Sequence, residues 1–189
     1  MQITEEYRKL NEQLHESNAA YGTSGQKWAG HVSQLKKLTH ARDILDFGCG
    51  KRTLETSLGY EIRNYDPCIP GLDSTPEPAD IVVCSDVLEH IEPECLDDVL
   101  DELKRVTKAW GFCVINTGPA IKFLADGRNA HLIQEPWSWW EQKLSTRFQV
   151  VGTEEQSNDV AVCVRSLSSV TAQASSGRAK AQESTSIQP

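Results

Sequence analysis

Residues 43–55 read DILDFGCGKRTLE. Ile44, Leu45, Asp46 and Phe47 make a short, mostly apolar run of the kind that forms a buried strand. Gly48 and Gly50 follow at a spacing of two, and a helical pattern starts at Thr53. Strand, glycine turn and helix in that order open a βα unit. In an open α/β sheet, ligands sit beyond the carboxyl ends of the strands, where strand order reverses. Glycines at such an end let bare backbone approach a ligand, although glycine is also an ordinary turn former.

The rest of the chain fits the same architecture. Residues 3–15 read as a helix with Ile3, Tyr7, Leu10 and Leu14 on one side, and Lys27 to Leu38 as a second with Trp28, Val32, Leu35 and Leu38. Tyr60 to Tyr65 reads as the next strand. DIVVC, residues 80–84, is almost continuously apolar, as a central parallel strand should be. Glu94 to Lys108 is a strongly patterned helix that Trp110-Gly111 closes, and FCVIN, residues 112–116, is a further strand. Pro136 opens a helix over WSWWEQKLSTRF, since proline suits a first turn. Phe148 to Val151 and Val160 to Val164 close the order as an antiparallel edge pair. Alternating strands and helices with right-handed crossovers predict a three-layer α/β domain with a mostly parallel sheet. Three segments are expected: N-terminal helices with a lid-like connector over 1–39, the α/β domain over 40–165, and a disordered tail over 166–189. The tail is rich in Ser, Ala, Gln and Thr and has little to bury.

Composition narrows the function. The 189 residues carry 19 basic and 27 acidic side chains, a formal net charge of -8. Adjacent basic pairs are scattered, so no phosphate-binding face for a duplex is predicted. No apolar run is long enough to span a membrane, and the polar N-terminus lacks a secretory pattern, so a cytoplasmic protein is expected. The six cysteines form no CxxC, which predicts reduced interior thiols and no metal site.

Asp66 ends the second strand, where an acid can accept both hydroxyls of a ribose; the same residue could simply cap the turn before Pro67. Arg52 stands where a dinucleotide fingerprint moves toward its third glycine, and no GxxxxGK[ST] is present. A nucleoside without phosphates therefore fits better than a pyrophosphate.

ILDFGCG, NYDP and ADIVVCSDVLEHIEPECLDDVLDELKRV, in this order, resemble the class I S-adenosylmethionine-dependent methyltransferases over roughly residues 40–118. The resemblance implies a Rossmann-like methyltransferase fold and S-adenosylmethionine as cofactor. Asp46, Gly48, Cys49 and Gly50 would line its methionine part, Asp66 and Pro67 its ribose, and Ser85, Asp86 and Val87 the floor beneath the sulfonium. Only fourteen residues separate Asp66 from Ile81, so the sheet should be short by one strand between the second and fourth family positions. Asp73 is a candidate to replace the adenine contact. His90 reads as a base or as pocket support. His131, Arg128 and Asn129 stand in a loop at a strand's carboxyl end, where they could meet an anionic acceptor or form a solvent loop. Tyr21 and Lys27, in and after YGTSG, are candidates for a lid. The expected acceptor is a small molecule or nucleotide-like compound, and the expected assembly a monomer or homodimer. Another group transfer from the same cofactor, or a non-catalytic cofactor-binding partner, stays open from sequence.

Overall fold

The structure is a computed structural model and describes residues 3–167. Of the tail expected over 166–189, all but Ser166 and Leu167 lies outside the described residues.

Six strands form one sheet in the order β2-β1-β3-β4-β6-β5. They are β1 (Ile44–Phe47), β2 (Arg63–Tyr65), β3 (Ala79–Ser85), β4 (Thr107–Asn116), β5 (Phe148–Gln156) and β6 (Asp159–Ser166). β1 pairs in parallel with β2 and β3, and β3 with β4; β6 runs antiparallel to both β4 and β5. The chain thus steps from β1 to one side and then crosses to β3 on the other. Strand order reverses between β1 and β3, directly beside the glycine turn.

Alternation along the strands sends side chains into two cores. Ile44, Ile81, Val83, Phe112 and Val114 face α2 (Gly25–Thr39) and α3 (Thr53–Leu58), where Trp28, Val32 and Leu54 are fully buried. Leu45, Val82, Cys84, Cys113 and Ile115 face α4 (Leu96–Val106) and α5 (Trp137–Ser145). The apolar stripe of α4, Leu96, Val99, Leu100, Leu103 and Val106, is buried. Each such leucine or valine contributes roughly 1.5–3 kcal/mol. The result is the expected three-layer fold with an antiparallel edge. α2 is one of its layers, so the second half of the 1–39 segment is built into the α/β core.

The sheet is short by one strand, as the spacing implied. Residues after β2 turn back on themselves: Asp66 N–H donates to Leu72 C=O and Ile69 N–H to Asp66 C=O. Arg63 clamps the far end of this loop, donating to the Glu77 and Pro78 carbonyls and to Asp43. β2 is left as a three-residue edge.

Several local expectations change. Trp110 and Gly111 lie inside β4 and do not close α4. A Cβ on Gly111 would stand 2.6 Å from Val164 Cγ2 on β6, so strand packing requires the glycine. The β5–β6 hairpin is longer than predicted because ladder pairing extends through GTEEQ, leaving Ser157-Asn158 as the turn. Leu38 is 70% exposed, at the end of α2 beyond the sheet. α1 (Glu5–Ser17) buries Tyr7 and Asn11, with Leu10 and Leu14 only partly covered. Its inward face follows the i, i+4, i+8 row of Tyr7, Asn11 and His15, which points at the ends of the strands.

Arg52, just before α3, has φ 55, a left-handed conformation that costs a non-glycine residue about 1–2 kcal/mol. The third glycine is gone from the motif, but its backbone shape is retained. Arg52→Gly should therefore stabilise the chain by about 0.5–1 kcal/mol once glycine's extra unfolded-state entropy is subtracted, raising Tm by about 1–3 °C. Calorimetry that finds a lower Tm would show the strain reading to be wrong.

Candidate active site

Beyond the carboxyl ends of β1, β2, β3 and β4 lies a cavity of about 580 Å³. That is within the roughly 300–1,000 Å³ of small-ligand sites. Its floor is the strand ends, and its roof is α1 with the connector that follows it.

The glycine turn forms one wall. Gly48 and Gly50 have φ +76 and +49. A Cβ on Gly48 would collide with Val87, and one on Gly50 would stand 2.6 Å from Gly22 O. The turn is held from both sides. Gly48 N–H and Cys49 N–H donate to Tyr65 C=O, at 2.7 and 3.0 Å, and Lys51 N–H donates to Gly22 C=O at 2.8 Å. Lys51 Nζ also reaches across to the His15 and Asn18 carbonyls. The connector thus rests on the glycine turn.

Asp66 stands at the end of β2. Its Oδ2 accepts from Gly50 N–H at 3.0 Å, and its Oδ1 from Cys68 N–H at 2.9 Å. It therefore caps its own turn and ties the two strand ends together. A carboxylate has about four lone-pair sites, so both oxygens keep acceptor capacity toward the cavity. Burial pushes its pKa up, while the two backbone donors and nearby His15 oppose that shift.

Asp46 is different. It is 2% exposed, lines the cavity and accepts no hydrogen bond among the described residues. Burial and repulsion from Asp66 and Glu55 push its pKa up to about 7. Asp86 also lines the cavity, with φ 52 and a buried Oδ1 that has no partner. Burial raises its pKa too, against the hydrogen bond from Ser24. The walls are acidic; Lys122, which lines the cavity, and Lys51, beside the glycine turn, point their ammonium groups at backbone carbonyls.

Further along, His90 Nδ1 lies 2.7 Å from Ala130 O, and His131 Nδ1 2.7 Å from Gly118 O. The two rings meet edge-on with centroids 4.7 Å apart. Burial, then His131, brings the His90 pKa down to about 3. Behind them Glu89 is completely buried. Its Oε1 accepts from Asn116 N–H at 2.8 Å, while Oε2 has no partner. Burial pushes its pKa well above the usual carboxylate range.

The sequence-predicted residues divide clearly. Asp46, Gly48, Cys49, Gly50, Asp66, Pro67, Ser85, Asp86, Val87, Tyr21, His90 and His131 all line the cavity. Arg128 does not: it pairs with Asp126 at 2.7 Å on the surface of its loop. Asn129 braces that loop from within, bonding Ala120 N–H and C=O and His131 N–H. Lys27 does not line the cavity and pairs with Asp159 at 2.7 Å. Asp73 caps Gly71 in the exposed loop. Charge in a loop made Arg128 look like an anion ligand, but a carboxylate two residues away is a nearer partner. Sequence reasoning missed Asn11, His15 and Glu89. The polar i, i+4 row of α1 was the available signal for the first two; nothing local marks Glu89 as buried.

Against known proteins, a family model described as a methyltransferase domain matches residues 12–156. No curated protein matches the chain by sequence. Solved structures share the fold at low identity. The 1,6-didemethyltoxoflavin-N1-methyltransferase of Burkholderia thailandensis has a TM-score of 0.61 at 14% identity, over 85% of this chain and 89% of that one. Magnesium protoporphyrin IX methyltransferase of Synechocystis PCC 6803 has a TM-score of 0.55 at 14% identity, over 75% and 83%. The PH0226 protein of Pyrococcus horikoshii OT3 has a TM-score of 0.54 at 16% identity, over 74% and 89%. With most of its length matched and the sheet, crossovers and cavity in place, the chain belongs to the methyltransferase-domain family and has the fold of the class I S-adenosylmethionine-dependent enzymes.

Proposed function

We propose that this chain transfers the methyl group of S-adenosylmethionine to a small-molecule or nucleotide-like acceptor. The observation that carries the reading is Asp46, a buried carboxylate without a donor at the foot of a bare-backbone turn. An unpaired acid in such a place stays neutral when empty and is stabilised in its ionised form by a cation. An ammonium and a sulfonium are such cations, whereas a pyrophosphate would be repelled by Asp46, Asp66 and Asp86.

Bound S-adenosylmethionine supplies an electrophilic methyl on a positively charged sulfur. Asp46 and the Gly48–Gly50 backbone would hold its methionine end, Asp66 and Pro67 its ribose, and Ser85, Asp86 and Val87 the floor below the sulfur. α1 and the connector through Tyr21 close the cavity from above and exclude water. Alignment of acceptor and methyl within such a space supplies much of the acceleration. The remaining space, bounded by Tyr21, His90, Ala120, Lys122 and His131, suits a small acceptor. Two of the similar structures are methyltransferases of 1,6-didemethyltoxoflavin and of magnesium protoporphyrin IX. Arg128, Asn129 and Lys27 enter this reading as residues that shape and anchor the surrounding loops. Among the described residues no helix is long and apolar enough to cross a membrane. All six cysteines are free thiols, five of them buried. A reducing, cytoplasmic setting and a monomer or homodimer complete the reading; the net charge of -8 disfavours a duplex partner.

Removing the Asp46 charge separates binding from stability. Asp46→Asn should weaken S-adenosylhomocysteine at least about tenfold by titration calorimetry, the loss of one charged hydrogen bond. At pH 8 the same variant should melt higher than the parent. A raised carboxyl pKa means the unfolded chain ionises first, so the ligand-free fold loses stability as pH rises from about 4 through 7. A variant that binds as well as the parent would remove the assignment.

The binding itself should depend on pH. Ionised Asp46 is the form that meets an ammonium, and its pKa is about 7. Affinity should therefore fall about tenfold from pH 8 to pH 6, with protons released on binding at the lower pH. Calorimetry in buffers of different ionisation heat measures that release, and Asp46→Asn should abolish it.

A further inference from the structure

His90 and His131 line the cavity and Glu89 is buried behind them, and the cofactor reading uses none of the three. One ligand atom from each of Glu89, His90 and His131 can be chosen so that all three lie within 4.8 Å of one another. We propose that these three side chains bind a first-row divalent metal ion beside the ends of β3 and β4, open to the acceptor space. The sequence alone predicted no metal site, because its six cysteines form no CxxC. The ligands come from the Glu-His pair after β3 and from a loop histidine 41 positions later.

Three observations support the assignment. First, both imidazoles are oriented as metal ligands usually are. A ligating histidine commonly gives its other N–H to a backbone carbonyl, which fixes the tautomer and aims the free nitrogen. His90 and His131 both place Nδ1 at 2.7 Å from a carbonyl, so the proton sits on Nδ1 and Nε2 carries the lone pair. Second, Glu89 is fully buried with Oε1 held by Asn116 N–H and Oε2 bare. A carboxyl oxygen buried without a partner is costly unless a cation or donor meets it. Third, the Asp86 Oδ1 is also buried and bare, and Asp86 interacts electrostatically with both His131 and Glu89.

Ligand atoms around an ion with bonds of about 2.1 Å are separated by roughly 3 Å. The three ligand atoms, within 4.8 Å of one another, would draw together by about 2 Å around the ion. Two imidazoles with one carboxylate suit manganese, iron, cobalt or zinc more than magnesium or calcium. Three protein ligands leave positions free, and those positions would hold an acceptor through a hydroxyl oxygen, whose pKa the ion lowers. That use rests on the methyltransferase reading; metal binding does not.

The test uses the full chain and cobalt(II) alone, followed by visible absorption, with S-adenosylhomocysteine binding measured in parallel. The expected result is one cobalt per chain, with an imidazole-carboxylate spectrum free of thiolate charge transfer. His131→Ala should weaken cobalt about 100-fold or more, since even changes behind the ligands cost 10–100-fold. Glu89→Gln should do the same; if that buried variant does not fold, the half-buried His131 carries the test. No stoichiometric cobalt, a thiolate band, or equal binding by parent and His131→Ala each overturns the site. In those cases retained S-adenosylhomocysteine affinity leaves the cofactor reading standing. Loss of that affinity in the parent would instead strike the methyltransferase proposal.

Discussion

The hydrogen bond from Gly50 N–H to Asp66 Oδ2, at 3.0 Å, holds the cavity together. It joins the turn after β1 to the end of β2, and the second oxygen of the same carboxylate fixes the turn at Cys68. From the other side Gly22 C=O accepts from Lys51 N–H, so the turn is bound to the sheet and to the roof at once. Such close approach leaves no room for a Cβ at Gly50. A side chain there would force roof and floor apart.

Around this joint the protein buries acids that it does not neutralise. Asp46, Asp86 and Glu89 each have an oxygen or a whole carboxyl without a donor among the described residues, within one region at the strand ends. Burial favours the neutral form of each, which lowers the electrostatic strain of the ligand-free fold. A ligand bearing positive charge reverses that preference and gains the interaction. The lack of donors thus favours positively charged ligands, and the two proposals place one such ligand at each end of the region. The sulfonium nucleoside suits the glycine turn, and a metal ion suits the histidine pair.

The shortened sheet matters to the same region. Without a strand outside β2, the chain between Asp66 and β3 is a compact loop whose end before β3 is held by both Arg63 and Arg105. α1 lies over the strand ends with Tyr7, Asn11 and Tyr21 joined through their polar tips. The roof is therefore polar inside, unlike the two apolar cores on either face of the sheet. That polarity explains why α1 does not bury the apolar stripe that its spacing suggested.

Local chemistry was enough to determine the βα opening, the apolar run of β3, the stripe of α4 and the deficit of one strand. Each depends on periodicity, glycine and chain length over a few neighbouring residues. Asp46, Asp66 and the two glycines were legible for the same reason, since a strand end sets where they face. Only the tertiary structure decided that Arg128 turns to Asp126, that Asn129 braces a loop, and that Glu89 is buried beside two histidines. Those outcomes depend on which partner is nearest in space. A side chain's neighbours across 40 residues of sequence are set by how β3, β4 and the following loop pack, which no local pattern encodes.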